Sequence, residues 1–131
     1  MNLTNQVLAT KENFVDFIKN YPSQTPLVMM NILKFKDQTK DGRTGEEAYK
    51  TYSKLVAPLV EKVGGKFIWG GKTKQTVIGD FENQPDQFLV VYYPSKEAFV
   101  EMSTSEEYKA IGHHRHEALE YGGLIATETI G

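Results

Sequence analysis

Cysteine is absent from the 131-residue sequence. That excludes disulfides, thiol nucleophiles and thiolate metal sites together. No apolar run approaches the roughly 18 residues of a membrane-spanning helix. The opening stretch, MNLTNQVLATKENF, lacks a basic start followed by apolar residues, so no signal peptide is expected and the default location is the cytoplasm. An excess of one charge is missing too. Fifteen basic and 17 acidic side chains are mixed along the chain and leave a net charge of −2. Neither nucleic acid nor a membrane surface is an expected partner of that balance. Gly-rich phosphate loops, nucleophile elbows and paired-carboxylate signatures do not occur. The remaining composition, 40% hydrophobic and 24% charged, is that of an ordinary globular chain.

Hydrophobic patterning divides the chain into an N-terminal arm and helix, residues 1–26, and a main domain, residues 27–131. Thr10 is placed to cap a short helix in which Phe14, Phe17, Ile18 and Tyr21 share one face. LVMMNILKF, residues 27–35, is nearly continuously apolar and reads as a strand covered on both faces. Asn31 is the polar residue inside it, and a buried amide there needs hydrogen-bond partners. Residues 36–45 are a polar, Gly-punctuated loop with the composition of a lid. A helix follows from about Glu46 to Val63, with Pro58 inside it and Gly64-Gly65 as its stop. KFIWGGKTKQTVIGD reads as a strand pair or one long bent strand, with Phe67 and Trp69 on the same face and a bend at Gly70-Gly71. QFLVVYY is a second apolar strand, closed by Pro94. Ser95 and Ser105 cap two helical runs, Gly122-Gly123 end the second, and LIATET supplies the last strand.

After the N-terminal helix the order is therefore β, α, β, β, α, β, the split βαβ pattern of ferredoxin-like folds. Helices cover one face of such a four-stranded antiparallel sheet. The two apolar strands carry apolar residues on the other face as well. A second copy of the chain is the economical cover, since twofold homodimers are the commonest oligomers.

The second helical run holds the oddest feature. At 100° per residue from Tyr108, Arg115 falls at 340°, inside the apolar arc of Ile111, Ala118 and Leu119, with His114 at its edge. An arginine there pairs with an acid, snorkels to solvent, or faces a site meant for an anion. Arg115 with Glu128 or Asp80 is the structural alternative to a ligand.

LVMMNILKFK, GEEAYKTYSKLVAPLVEKVGGKFIWGG and FLVVYYPSKEAFVEMSTSEEYKAIGHHRHEAL together resemble the uncharacterised family called domain of unknown function 1330. The resemblance spans about residues 27 to 128. Its most specific pieces are Asn31, Tyr49 with Tyr52, Gly64-Gly65, the YPSKEAF corner, Met102, the SEEY step and His114-Arg115. It implies the dimeric α+β barrel, in which two ferredoxin-like sheets face each other. Proteins similar to that family include cofactor-free monooxygenases, haem-degrading enzymes, small-lactone isomerases and purely binding members. Fold likeness does not choose among them.

Three constellations compete for chemistry. In the first, Arg115 clamps a carboxylate or enolate, His114 exchanges a proton, and Asn31 donates to a developing oxyanion, with Tyr93, Trp69 and Tyr52 against the substrate. In the second, His113 and His116 hold a metal with Glu117 and Glu120. Both histidines fall on the polar arc, so a solvated face without a functional metal is expected. In the third, the single Trp69 with Asn31 and a histidine imitates a haem site. No motif places them, and no cofactor is expected. The reading is a homodimeric α+β barrel with a small-molecule pocket at Arg115. It is either a cofactor-independent enzyme acting by proton transfer or oxygenation on a small anionic or aromatic metabolite, or a non-catalytic binding or stress-associated dimer with a structural arginine.

Overall fold

The computed structural model describes residues 6–79 and 82–131. Residues 1–5 of the expected arm, and Asp80, weighed above as a partner for Arg115, lie outside the described residues. The elements run α1 (Lys11–Asn20), β1 (Leu27–Phe35), α2 (Gly45–Lys62), β2 (Lys66–Lys72), β3 (Gln87–Tyr93), α3 (Lys96–Ser103), α4 (Glu106–Ile111), α5 (His113–Ala118) and β4 (Leu119–Thr127). The strands form one antiparallel sheet in the order β2-β3-β1-β4. With helices crossing between β1 and β2 and between β3 and β4, this is the ferredoxin-like arrangement.

Local chemistry explains the helix boundaries. Thr10, Ser95 and Ser105 each accept a backbone N–H three residues on, satisfying a donor the first turn leaves open. Thr44 and Glu47 form a reciprocal capping box at the start of α2, with Glu46 adding negative charge to the same turn. Gly64, at φ +86°, takes the left-handed turn after α2 that a side chain resists. Pro58 does not end α2.

Register decides which residues face the helices. Alternate residues of β1, Leu27, Met29, Asn31 and Leu33, are buried. Opposite them on β3 stand Tyr93, Val91, Leu89 and Gln87. Ala48, Tyr49, Tyr52, Val56 and Val60 of α2 close over this row, joined by Met102, Ala118 and Leu119. The intervening residues Val28, Met30, Ile32, Phe88, Val90 and Tyr92 point to the other face, where burial is only partial.

α1 is tied to α3. Lys96, itself buried, donates through Nζ to the carbonyls of Ile18 and Tyr21 near the end of α1, where the helix dipole is negative. The Phe17 ring meets Phe99 edge-on at 5.9 Å, and the Tyr21 hydroxyl donates to the Pro26 carbonyl at 2.9 Å.

Several expected boundaries shift. β2 is one strand ending at Lys72, and among the described residues the next strand in the chain is β3, its partner in the sheet. Its bulge lies between Phe67 and Trp69, so Phe67 stands opposite Val91 while Trp69 stands opposite Val90. The extra residue sends those two rings to opposite faces, against the simple alternation. The run after Ser105 is two short helices that meet at Gly112, not one. Gly122-Gly123 do not end a helix. β4 begins at Leu119 and both glycines lie within it, opposite Leu33 and Ile32.

Candidate functional site

A cavity of about 1200 Å³ separates the sheet from the helices. Its floor is the helix-facing row of the sheet, including Met29, Asn31, Leu89 and Val91. Its roof is α2, from Tyr49 through Tyr52 and Val56 to Val60. Residues 6–10 and α1 form a third wall. The N-terminal segment is thus part of the cavity.

Arg115 projects into one end of it. Nη1 donates to the Val7 carbonyl at 3.3 Å, and Nη2 donates to Asn31 Oδ1 and to the Gly122 carbonyl, both at 3.3 Å. All three acceptors are neutral. Among the described residues no carboxylate ion-pairs with Arg115, so the Glu128 pairing weighed above is not formed. Of the five guanidinium N–H groups these bonds use three, and the Tyr49 hydroxyl takes part in a further hydrogen bond with the guanidinium. An always-charged, half-buried group held by neutral acceptors keeps its positive field directed into the cavity.

Gly122 is what lets the guanidinium sit there. A Cβ at that position would lie 3.1 Å from both Nη atoms and 2.6 Å from Leu119 Cδ1. Asn31 serves as a positioning residue. Its Oδ1 accepts from Arg115, and its Nδ2 donates to the Leu89 carbonyl across the strand pair at 3.4 Å.

Aromatic rings surround the charge. Tyr49 and Tyr52 pack at 5.4 Å, and the Tyr52 hydroxyl shares a 2.9 Å hydrogen bond with that of Tyr108. Tyr93 meets Phe99 edge-on at 5.2 Å. Burial raises the pKa of the Tyr49, Tyr52 and Tyr93 hydroxyls, and the Arg115 charge works against that rise in all three. These phenols are neutral donors at ordinary pH, which suits them to bind an anion rather than to abstract a proton.

Two expected site residues stand elsewhere. His114 is not on the cavity wall. Its ring lies 4.1 Å from that of His113, and its buried Nδ1 has no hydrogen-bond partner. His116 lines the cavity instead. The helical phase counted from Tyr108 does not carry past the break at Gly112, and that moves the histidines around the axis. Trp69 is 57% exposed, on the face away from the helices, and it lies over Gly71. The bulge in β2 put it there. Arg115, Asn31, Tyr52 and Tyr93 do come together on one cavity. Missed by sequence reasoning were Gly122, Tyr108 and the Val7 carbonyl. Nothing in a one-dimensional pattern marks a main-chain carbonyl 108 residues from its partner.

The group of possible metal ligands that forms is His113, His114 and Glu117, not His113 with His116. His113 and Glu117 are exposed, outside the cavity wall. The loop after β1, expected as a lid, does not border the Arg115 cavity. Lys36, Asp37 and Thr44 line a separate cavity of about 370 Å³.

A family model described as domain of unknown function (DUF1330) matches residues 42–129. None of the curated proteins matches the chain. Among solved structures, a protein of unknown function from Rhodopseudomonas palustris is 32% identical, with 98% of this chain and 99% of that chain covered at a TM-score of 0.91. A dimeric protein of unknown function with a ferredoxin-like fold from Bacteroides fragilis is 14% identical, covers 82% of this chain and 100% of its own, and has a TM-score of 0.55. A hydroxynitrile lyase from Passiflora edulis is 11% identical over 82% of this chain and 99% of its own, at a TM-score of 0.60. The last two share the fold alone. Among the described residues no helix is long and apolar enough to cross a membrane.

Proposed function

The chain belongs to the DUF1330 family, and from that footing we propose that it is a cytoplasmic homodimer that binds a small anionic or aromatic metabolite in the cavity at Arg115. The observation that carries the reading is a guanidinium with no acid partner among the described residues, facing an aromatic-walled space. Arg115 takes the anionic group, Asn31 orients it, and Tyr49, Tyr52 and Tyr93 supply ring surface and neutral hydroxyl donors. Residues 27–131 form the barrel domain, and residues 1–26 are an arm whose helix walls the site. The apolar face of the sheet, from Met30 and Val90 to Trp69, is covered by the second copy. The dimeric relative with a ferredoxin-like fold supports that assembly.

A thermal-shift screen of small carboxylates, phenols and quinones tests the site. A ligand at its Kd stabilises by about 0.4 kcal/mol and one at a hundredfold excess by about 2.7 kcal/mol, so a graded, saturable response is expected for wild type. Arg115→Ala is expected to lose it. A ligand that stabilises both proteins equally would remove Arg115 from the site.

Catalysis is a second reading, favoured by the hydrogen-bonded Tyr52–Tyr108 pair and by His116 on the cavity wall. Arg115 would then stabilise an enolate or carboxylate while His116 carries the proton, without a cofactor. Exchange of substrate C–H for deuterium by wild type, abolished in His116→Asn, is the expected sign. Binding without exchange leaves the non-catalytic reading.

A further inference from the structure

The cavity has a direction, and its two ends differ chemically. At one end Arg115, Asn31 and Tyr49 gather with the Val7 and Gly122 carbonyls. From there the wall runs along β3 from Leu89 to Tyr93, four residues or roughly 13 Å at strand rise. Along α2 it runs from Tyr49 to Val60, 11 residues or roughly 16 Å at helix rise. Past Tyr52 the wall is mostly carbon, from Val56, Val60, Val91, Met102, Phe99 and Phe17, with Tyr93, Ser103 and Thr104 also on it. One fixed positive charge therefore stands at the head of an apolar channel several times longer than a carboxylate.

The remaining charges on the wall narrow the ligand further. Asp16 and Glu128 line the cavity toward the α1 side, and Glu128 is close enough to Tyr21 for its charge to raise that hydroxyl's pKa, after burial. A second carboxylate on the ligand would meet those acids. Lys109, the other cation on the wall, is ion-paired with Glu106 at 3.3 Å. A single anionic head and a neutral, apolar body fit this distribution. Dianions do not.

We infer that the ligand is an elongated monocarboxylate, an acyl or aryl-alkyl acid, with its head on Arg115 and its body laid along the sheet toward Tyr93 and Phe99. The inference rests on the binding reading above and specifies its ligand class. At bond lengths near 1.5 Å, a zigzag chain on the order of ten carbons spans the channel. The Arg115 guanidinium receives the carboxylate through charge-assisted hydrogen bonds.

Isothermal titration of the full-length protein tests this with straight-chain monocarboxylates from two to twelve carbons, the matching primary alcohols and the α,ω-dicarboxylates. Burial of each methylene, about 0.8 kcal/mol, corresponds to about a fourfold gain in affinity. The expected result is a rise of that order per carbon that stops near ten carbons, with alcohols at least tenfold weaker and dicarboxylates weaker than monocarboxylates. Arg115→Gln is expected to bring the acid-to-alcohol ratio close to one while keeping the dependence on length. Met102→Trp, which fills the apolar end, is expected to shorten the best chain. Affinity independent of chain length, or dicarboxylates binding as well as monocarboxylates, overturns the inference. So does a length dependence that neither variant alters, which is adsorption to the outer apolar face. Short aromatic acids that bind through Arg115 without any length dependence sink this inference and leave the binding reading standing. Failure of both short and long acids to bind sinks both.

Discussion

Replacing Gly122 by alanine adds one methyl group and tests the local packing on which the site depends. The new Cβ would stand 2.6 Å from Leu119 Cδ1 and 3.1 Å from both terminal nitrogens of Arg115. Leu119 is 1% exposed, in the core, and cannot turn away into solvent. Overpacking of this kind costs about 1–3 kcal/mol. With an unfolding entropy of about 2.1 cal/mol/K per residue, a chain of 131 residues loses about 4–11 °C in Tm. Scanning calorimetry reads that loss, and a ligand titration reads the displacement of the guanidinium as weaker anion binding. Leu119→Val in the same chain removes the nearer clash, so the double variant is expected to lose less than the two single losses combined. A Gly122→Ala protein with wild-type Tm and wild-type anion affinity would refute the packing of Arg115 against this strand.

Three further outcomes follow from other parts of the molecule. The Asp41 carboxyl is held down to about 2, first by the Thr39 hydroxyl and then by Arg43, 2.9 Å away. Its folded pKa lies below its unfolded one, so the loop's stabilisation is fully present above about pH 4 and is lost as pH falls through the folded value. Carboxyl NMR titration should show Asp41 titrating near 2 in wild type and higher in Thr39→Val; an ordinary value in wild type would contradict the hydrogen-bonded loop. Lys96→Met removes the buried donor that the Ile18 and Tyr21 carbonyls share, at about 1 kcal/mol per hydrogen bond lost, since both carbonyls lie near solvent. Amide exchange in α1 should speed up while exchange in β1 stays slow, and unchanged exchange in α1 would mean that Lys96 does not anchor it. Val90→Lys places a charge at the middle of the outer apolar face, and sedimentation is expected to show one chain per particle where the proposed dimer has two. A dimer that survives this change uses another surface.

Strand and helix placement was legible because it depends on near neighbours. Continuous apolar runs mark β1 and β3, and Thr10, Ser95 and Ser105 cap helices where their side chains meet the N–H three residues later. Arg115 stood out for a similar reason, as a charge at an apolar helical position. Trp69 and His114 were misplaced because both readings carried a periodicity through an interruption. One extra residue in a strand reverses every later side chain, and a break between helices resets the phase.

From sequence alone come the element order, the pairing of strands into a ferredoxin-like sheet and the presence of an arginine that requires an explanation. These follow from composition and short-range pattern, in which each residue's state depends on residues a few positions away. Only the tertiary structure decided what Arg115 faces. Its partners, the Val7 and Gly122 carbonyls and Asn31 Oδ1, come from the arm, β4 and β1, and two of the three lie more than 80 residues away. Whether a buried charge is neutralised by an acid or left to hold a ligand depends on which groups the fold brings within about 3 Å of it. Spacing along a chain does not encode that distance.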